Sequence, residues 1–98
     1  MDVPFYPDFS LVSTEAYCIG YLDDKGYMTN IHSCGAACRK IFQMFSYGIG
    51  GSSECNAEKC KCFCATETDG FECKGQVDDS SLDLYTFKGK FPLILQTS

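Results

Sequence analysis

The residues in this chain best suited to chemistry are cysteines: CKCFC at 60–64, and Cys34 and Cys38 in SCGAACRK. Alternating thiols can ligate a metal, exchange disulfides or join partners elsewhere in the chain. A zinc site could draw on these thiolates and on His32, two residues before Cys34. Neither C-x-x-C nor H-x-x-x-H occurs, however, so the usual paired chelating knuckles are missing. Thiol redox catalysis favours C-x-x-C as well. Eight cysteines in 98 residues, an even number, fit a disulfide framework with no thiol left over. No metal and no cofactor is expected.

Strand and helix geometry narrow the pairing. In a strand, side chains two apart share a face at roughly 6.5–7 Å, so Cys60, Cys62 and Cys64 face one way and Lys61 and Phe63 the other. In a helix, residues four apart are neighbours at about 5–6 Å, the spacing of Cys34 and Cys38. A C-x-x-x-C helix laid across a C-x-C strand offers two pairs of sulfurs at matching separation. The expectation is therefore a double staple of Cys34 and Cys38 with Cys62 and Cys64, its order open. Cys55 and Cys60 flank the short NAEK segment and could close it, which leaves Cys18 for Cys73. Eight cysteines permit about 105 connectivities, and this set, with the order within the staple open, is the expectation.

Other catalytic signals are thin. A Cys/His nucleophile needs a free thiol, and no G-x-S-x-G accompanies His32. Asp23/Asp24 and Asp78/Asp79 are paired acids, but in turn-rich stretches they read as solvated loop charges. DDSSLD lacks the D-x-[DN]-x-[DN]-G calcium loop, and GIGGSS lacks G-K-[ST]. An enzyme is not expected. Binding signals are better: Tyr21, Asp23, Asp24, Lys25 and Tyr27 gather around the DDKG segment. Tyrosine faces stack while acids and a lysine hydrogen-bond, which suits sugar or protein contacts. The bland alternative is a core tyrosine beside charges that solvate a turn. The loop 48–54 is a second candidate surface, or a simple strand connection.

The bulk properties agree with a binding domain. With 13 acidic residues against 8 basic ones, the formal charge is −5, so nucleic acid would be repelled. No apolar run approaches the ~20 residues of a membrane span, and FPLIL is broken by Pro92. The amino terminus has no basic region followed by an apolar run, so a secreted chain would have shed its leader. A chain of this size buries roughly 60–65% of its unfolded surface, enough for one small core.

The elements that must position these residues are short. Pro4 and Pro7 make 1–10 an irregular lead-in, and residues 11–95 read as one domain followed by a tail, 96–98. LVSTEAYCIGYL predicts a strand ending near Asp23, DDKG a turn, and YMTN a short extended piece. Asn30 or Ser33 could cap a helix carrying Cys34, Ala37, Cys38 and Ile41 on one face, weakened at Gly35 by about 1 kcal/mol. QMFSYG, CKCFCAT, FECKGQV and LDLYTF read as strands, separated by the loop 48–54, a turn at ETDG and a loop at DDSS. KFPLILQTS is open between a last strand and a tail. The fold class is α+β: one short helix packed on an antiparallel sheet of about five strands.

Residues 18–87 resemble the PAN/apple family in a secreted, invertebrate form. The resemblance rests on Cys18 opening a strand, SCGAACRK as the cysteine-bearing helix, FSYG as the strand after it, and LDLYTF as the closing strand. Gln43 and Met44 stand where the family commonly has a cysteine, and Cys60, Cys62 and Cys64 look like additions. The resemblance implies a helix pair, Cys34/Cys38, tied to the sheet, and extracellular binding of carbohydrate or protein without catalysis. It brings no binding residues with it. The resulting expectation is a secreted recognition module for adhesion or host and cell-surface interaction. A venom-type or signalling factor acting on a receptor is the alternative, and a cytosolic zinc protein the outlier.

Overall fold

The structure, a computed structural model, describes residues 9–39 and 41–87. Its elements in chain order are β1 (Ser10–Ser13), β2 (Ala16–Cys18), β3 (Leu22–Met28), α1 (Ile31–Arg39), β4 (Met44–Gly48), β5 (Cys55–Asn56), β6 (Lys59–Ala65), β7 (Thr68–Asp69), β8 (Glu72–Cys73), β9 (Gln76–Asp78) and β10 (Leu82–Thr86). The main sheet is antiparallel in the order β1-β10-β4-β6-β3, with β5 added to the end of β6; β2–β9 and β7–β8 are two-stranded satellites. This is a small disulfide-rich α+β fold with one short helix among the described residues.

All eight cysteines are paired, as Cys18–Cys73, Cys34–Cys62, Cys38–Cys64 and Cys55–Cys60. The double staple therefore forms, in parallel order, with Cα–Cα separations of 5.4 Å in both bridges. It lays α1 across β6 and fixes which face of the sheet is inside. On that face Cys34, Cys38, Phe45, Cys62, Cys64 and Phe87 are fully buried. Phe45 stacks on Tyr85 at 5.2 Å between centroids and takes Phe9 edge-on at 5.3 Å. Gly35 is what lets Phe9 in: a Cβ there would lie 3.3 Å from the Phe9 ring. The helix weakness at Gly35 is thus exchanged for aromatic packing. Asn30 is the cap, its Oδ1 accepting the Ser33 backbone N–H at 2.9 Å.

The opposite face of the sheet is covered only in part. Met44, Ala65 and Leu84 pack there with Cys18, whose bond to Cys73 pins the β2–β9 and β7–β8 pairs onto the sheet.

Several local expectations are corrected. The DDKG segment is no turn: β3 runs through it, paired with β6 from Leu22↔Ala65 to Met28↔Cys60. Its turn chemistry makes a bulge instead, with Gly26 at φ 83° and its N–H donating to Asp24 Oδ1 at 2.8 Å. The expected first strand divides into β1 and β2 around Glu15, which has φ 56° and whose N–H donates to Asp83 Oδ1 at 2.9 Å. Ile41 does not join the helix face. The helix ends at Arg39, Phe42 N–H donates back to the Cys38 carbonyl at 2.8 Å, and Ile41 is 69% exposed. ETDG becomes β7 and its tip, and FECKGQV divides into β8 and β9. Ser10, placed in the lead-in, opens β1. The lead-in 1–8 and the KFPLILQTS segment lie outside the described residues.

Candidate functional site

Because Cys62 and Cys64 bond to the helix, the residues alternating with them must face away from it. Lys61 and Phe63 do so, and register places Tyr27 opposite Lys61 and Asp24 opposite Phe63 on the neighbouring strand. The four side chains form one cluster on the open face of β3 and β6. The Lys61 ammonium lies 5.7 Å from the centroids of both the Tyr27 and the Phe63 rings. At that distance the ring quadrupole attracts a cation. The same ammonium is 3.0 Å from Asp24 Oδ2. Hydrogen bonding from Lys61, then from the Gly26 N–H, holds the Asp24 carboxyl below its ordinary value. The same bond to Asp24 raises Lys61 above its own. Both charges are thereby kept through the neutral range.

Of the five residues the sequence singled out, the structure brings only Asp24 and Tyr27 into this cluster. Asp23 sits opposite Cys64 and so takes the helix-side face at the sheet edge, where it pairs with Lys25 at 3.2 Å. Tyr21 precedes β3 and is 69% exposed, against 45% for Tyr27. Its backbone is fixed nonetheless: Thr66 Oγ1 donates to the Tyr21 carbonyl at 2.7 Å, and the Tyr21 N–H donates to Glu67 Oε2 at 3.3 Å. Gly20, at φ 108°, admits Glu67, since a Cβ there would lie 2.8 Å from its carboxylate. Tyr21 is thus an exposed ring on an anchored backbone, at the opposite end of β3 from Tyr27.

The residues missed as binding candidates are Lys61 and Phe63. Their direction was legible from alternation with the cysteines, but their union with Tyr27 and Asp24 depends on β3–β6 pairing across a long stretch of chain.

The remaining candidates take structural parts. Asp79 Oδ1 accepts the Ser81 backbone N–H at 2.8 Å and shapes the turn before β10. The loop 48–54 is tied to that turn, Ile49 N–H donating to the Ser81 carbonyl at 2.8 Å. The sulfurs of Cys34, Cys38 and Cys62 lie within 4.8 Å of one another. Two neighbouring disulfides produce that grouping: Cys34 is bonded to Cys62 and Cys38 to Cys64, so these sulfurs are not presented as thiolates. The His32 ring packs beside Phe9, 5.5 Å away. No protein-family model matches this chain, and neither does a curated protein or a solved structure.

Proposed function

We propose that this chain is a secreted, non-enzymatic recognition module of PAN/apple type that binds carbohydrate or protein through the open face of β3 and β6. The observation that carries the reading is the Tyr27–Lys61–Phe63–Asp24 cluster. It combines two rings with two fixed, opposite charges on a strand pair anchored from behind by disulfides to the helix. Aromatic rings give contact area at little entropic cost, and oriented charges give direction to hydrogen bonds. Four disulfides that use every cysteine support an oxidising compartment. The cysteine-bearing helix stapled to the sheet is the feature that the PAN/apple resemblance implies.

The test is binding of the oxidised chain to a broad glycan array and to a panel of extracellular proteins, with a reduced and alkylated sample as control. The reading expects a specific ligand that is lost on reduction and weakened by Tyr27→Ala. Binding that survives alkylation, or that is indifferent to Tyr27 and Lys61, would remove the β3–β6 face from consideration.

A further inference from the structure

The four disulfides differ in how far a thiol from outside can reach them. Cys34, Cys38, Cys62 and Cys64 are fully buried, and Cys18 is buried on its side of the bond to Cys73. Cys55–Cys60 is the one bridge with both halves partly exposed. Thiol–disulfide exchange needs direct access to a sulfur, so the buried bridges react only after the fold opens around them.

The accessible bridge also closes a strained hairpin. Cys55 stands opposite Cys60 and Asn56 opposite Lys59, with Ala57 and Glu58 forming the tip. Ala57 has φ 43°, a left-handed conformation that its Cβ disfavours and that hairpin tips usually give to glycine, asparagine or aspartate. Such strain persists only where the surroundings hold it. The bridge across the base of the hairpin is that hold.

The two sulfurs have different surroundings. Cys55 Sγ packs against the end of β4, where a Cβ on Gly48 would lie 3.0 Å from it. The Ile49 carbonyl oxygen is 3.2 Å from the same sulfur and Ser52 Oγ 4.0 Å from it. Approach to Cys55 is therefore obstructed by the loop 48–54, which leaves Cys60 as the sulfur to attack. Opening the bridge need not disturb the rest of β6. Its pairing with β3 and β4 runs from Cys60 to Ala65, and Cys62 and Cys64 stay bonded to the helix.

We propose that Cys55–Cys60 is a thiol-exchange site, at which a partner carrying a vicinal dithiol reduces this bridge alone. A thiolate of the partner attacks Cys60 Sγ, and a new S–S bond forms there as the bond to Cys55 breaks. The electron pair leaves on Cys55 Sγ, which takes a proton from water and donates it to the Ile49 carbonyl. The partner's second thiol then displaces Cys60, so the partner ends as a disulfide and Cys55 and Cys60 as thiols. The strain at Ala57 is released in the first step and favours it. The site stands whether or not the β3–β6 face binds a ligand.

The test is a pulse of reduced glutathione on the full oxidised chain, quenched with N-ethylmaleimide and mapped by tryptic mass spectrometry. Glutathione stands in for the partner's first thiol. The expected product carries glutathione on Cys60 and maleimide on Cys55, and forms at least about tenfold faster than any product at the other six cysteines. Ala57→Gly, which relieves the strained φ and keeps the bridge, should slow that product by about fivefold. Amide spectra of the pulsed chain should change within 48–61 and leave Phe45 and Leu84 in place. Another bridge reacting first or at the same rate, glutathione on Cys55, or no reaction would overturn the proposal. So would an unchanged rate in Ala57→Gly, or loss of the Phe45 and Leu84 signals.

Discussion

The two faces of the main sheet are built to different rules. On the helix side, Phe45 and Phe87 are fully buried among the sulfurs of two disulfides, and Tyr85 and Phe9 close around them. On the other side, the satellite strands cover Met44, Ala65 and Leu84, while Tyr27, Lys61, Phe63 and Asp24 stay at the surface. Strand β6 serves both faces through alternation alone: its cysteines hold the fold, and the residues between them meet solvent. A single seven-residue strand thus carries the staple on one face and the face proposed for recognition on the other, and substitutions on the two should have separable effects.

The largest effect is expected on the helix side. Phe45→Ala should lower stability by about 3–5 kcal/mol, the usual cost of emptying an aromatic core position. Denaturant unfolding measures it directly. Removing the Cys38–Cys64 bridge by paired serine substitution should cost about 3.5 kcal/mol from its 26-residue separation. The same treatment of Cys55–Cys60, which spans a separation of only 5 residues, should cost about 2 kcal/mol by that loop-length reasoning. A reversed order of the two would mean that loop entropy is not what ranks these bridges.

The smallest effect belongs to the open face. The folded pKa of Asp24 is depressed, so the stability its pair with Lys61 contributes is present above the ordinary value of 3.8 and is lost as pH falls through the lowered one. The Lys61 pKa is raised, so its share persists above 10.5 and disappears only at higher pH. The difference in melting temperature between the parent chain and Asp24→Asn should therefore be small and flat from about pH 5 to about pH 9, closing in acid. A difference that varies across that plateau would show that another group titrates against the pair.

Sequence reasoning reached the staple because it depends on two local periods: four residues in a helix and two in a strand. Cys34 and Cys38 on one side and Cys62 and Cys64 on the other carry that information in short segments; Cys55–Cys60 followed from its short spacing, and Cys18–Cys73 was the pair left over. Only the order within the staple needed coordinates. The candidate site was legible in part. Tyr27 and Asp24 were singled out for a cluster around a turn, but the turn is a bulge in β3. Its partner strand supplies the hydrogen bonds that a turn would have made locally. Tertiary pairing won over local turn chemistry, and it carried Asp23, which pairs with Lys25, to the other face. Ile41 shows the same limit at the helix end, where Phe42 takes the inward position once the chain leaves the helix.

The division of labour between the faces is tested most directly by the double variant Tyr27→Ala, Phe63→Ala, with ligand binding and thermal unfolding measured on the same sample. The ligand found with the parent chain should be lost while the melting temperature moves by no more than a few degrees. Retained binding at the parent affinity, or unfolding as severe as that of Phe45→Ala, would contradict it.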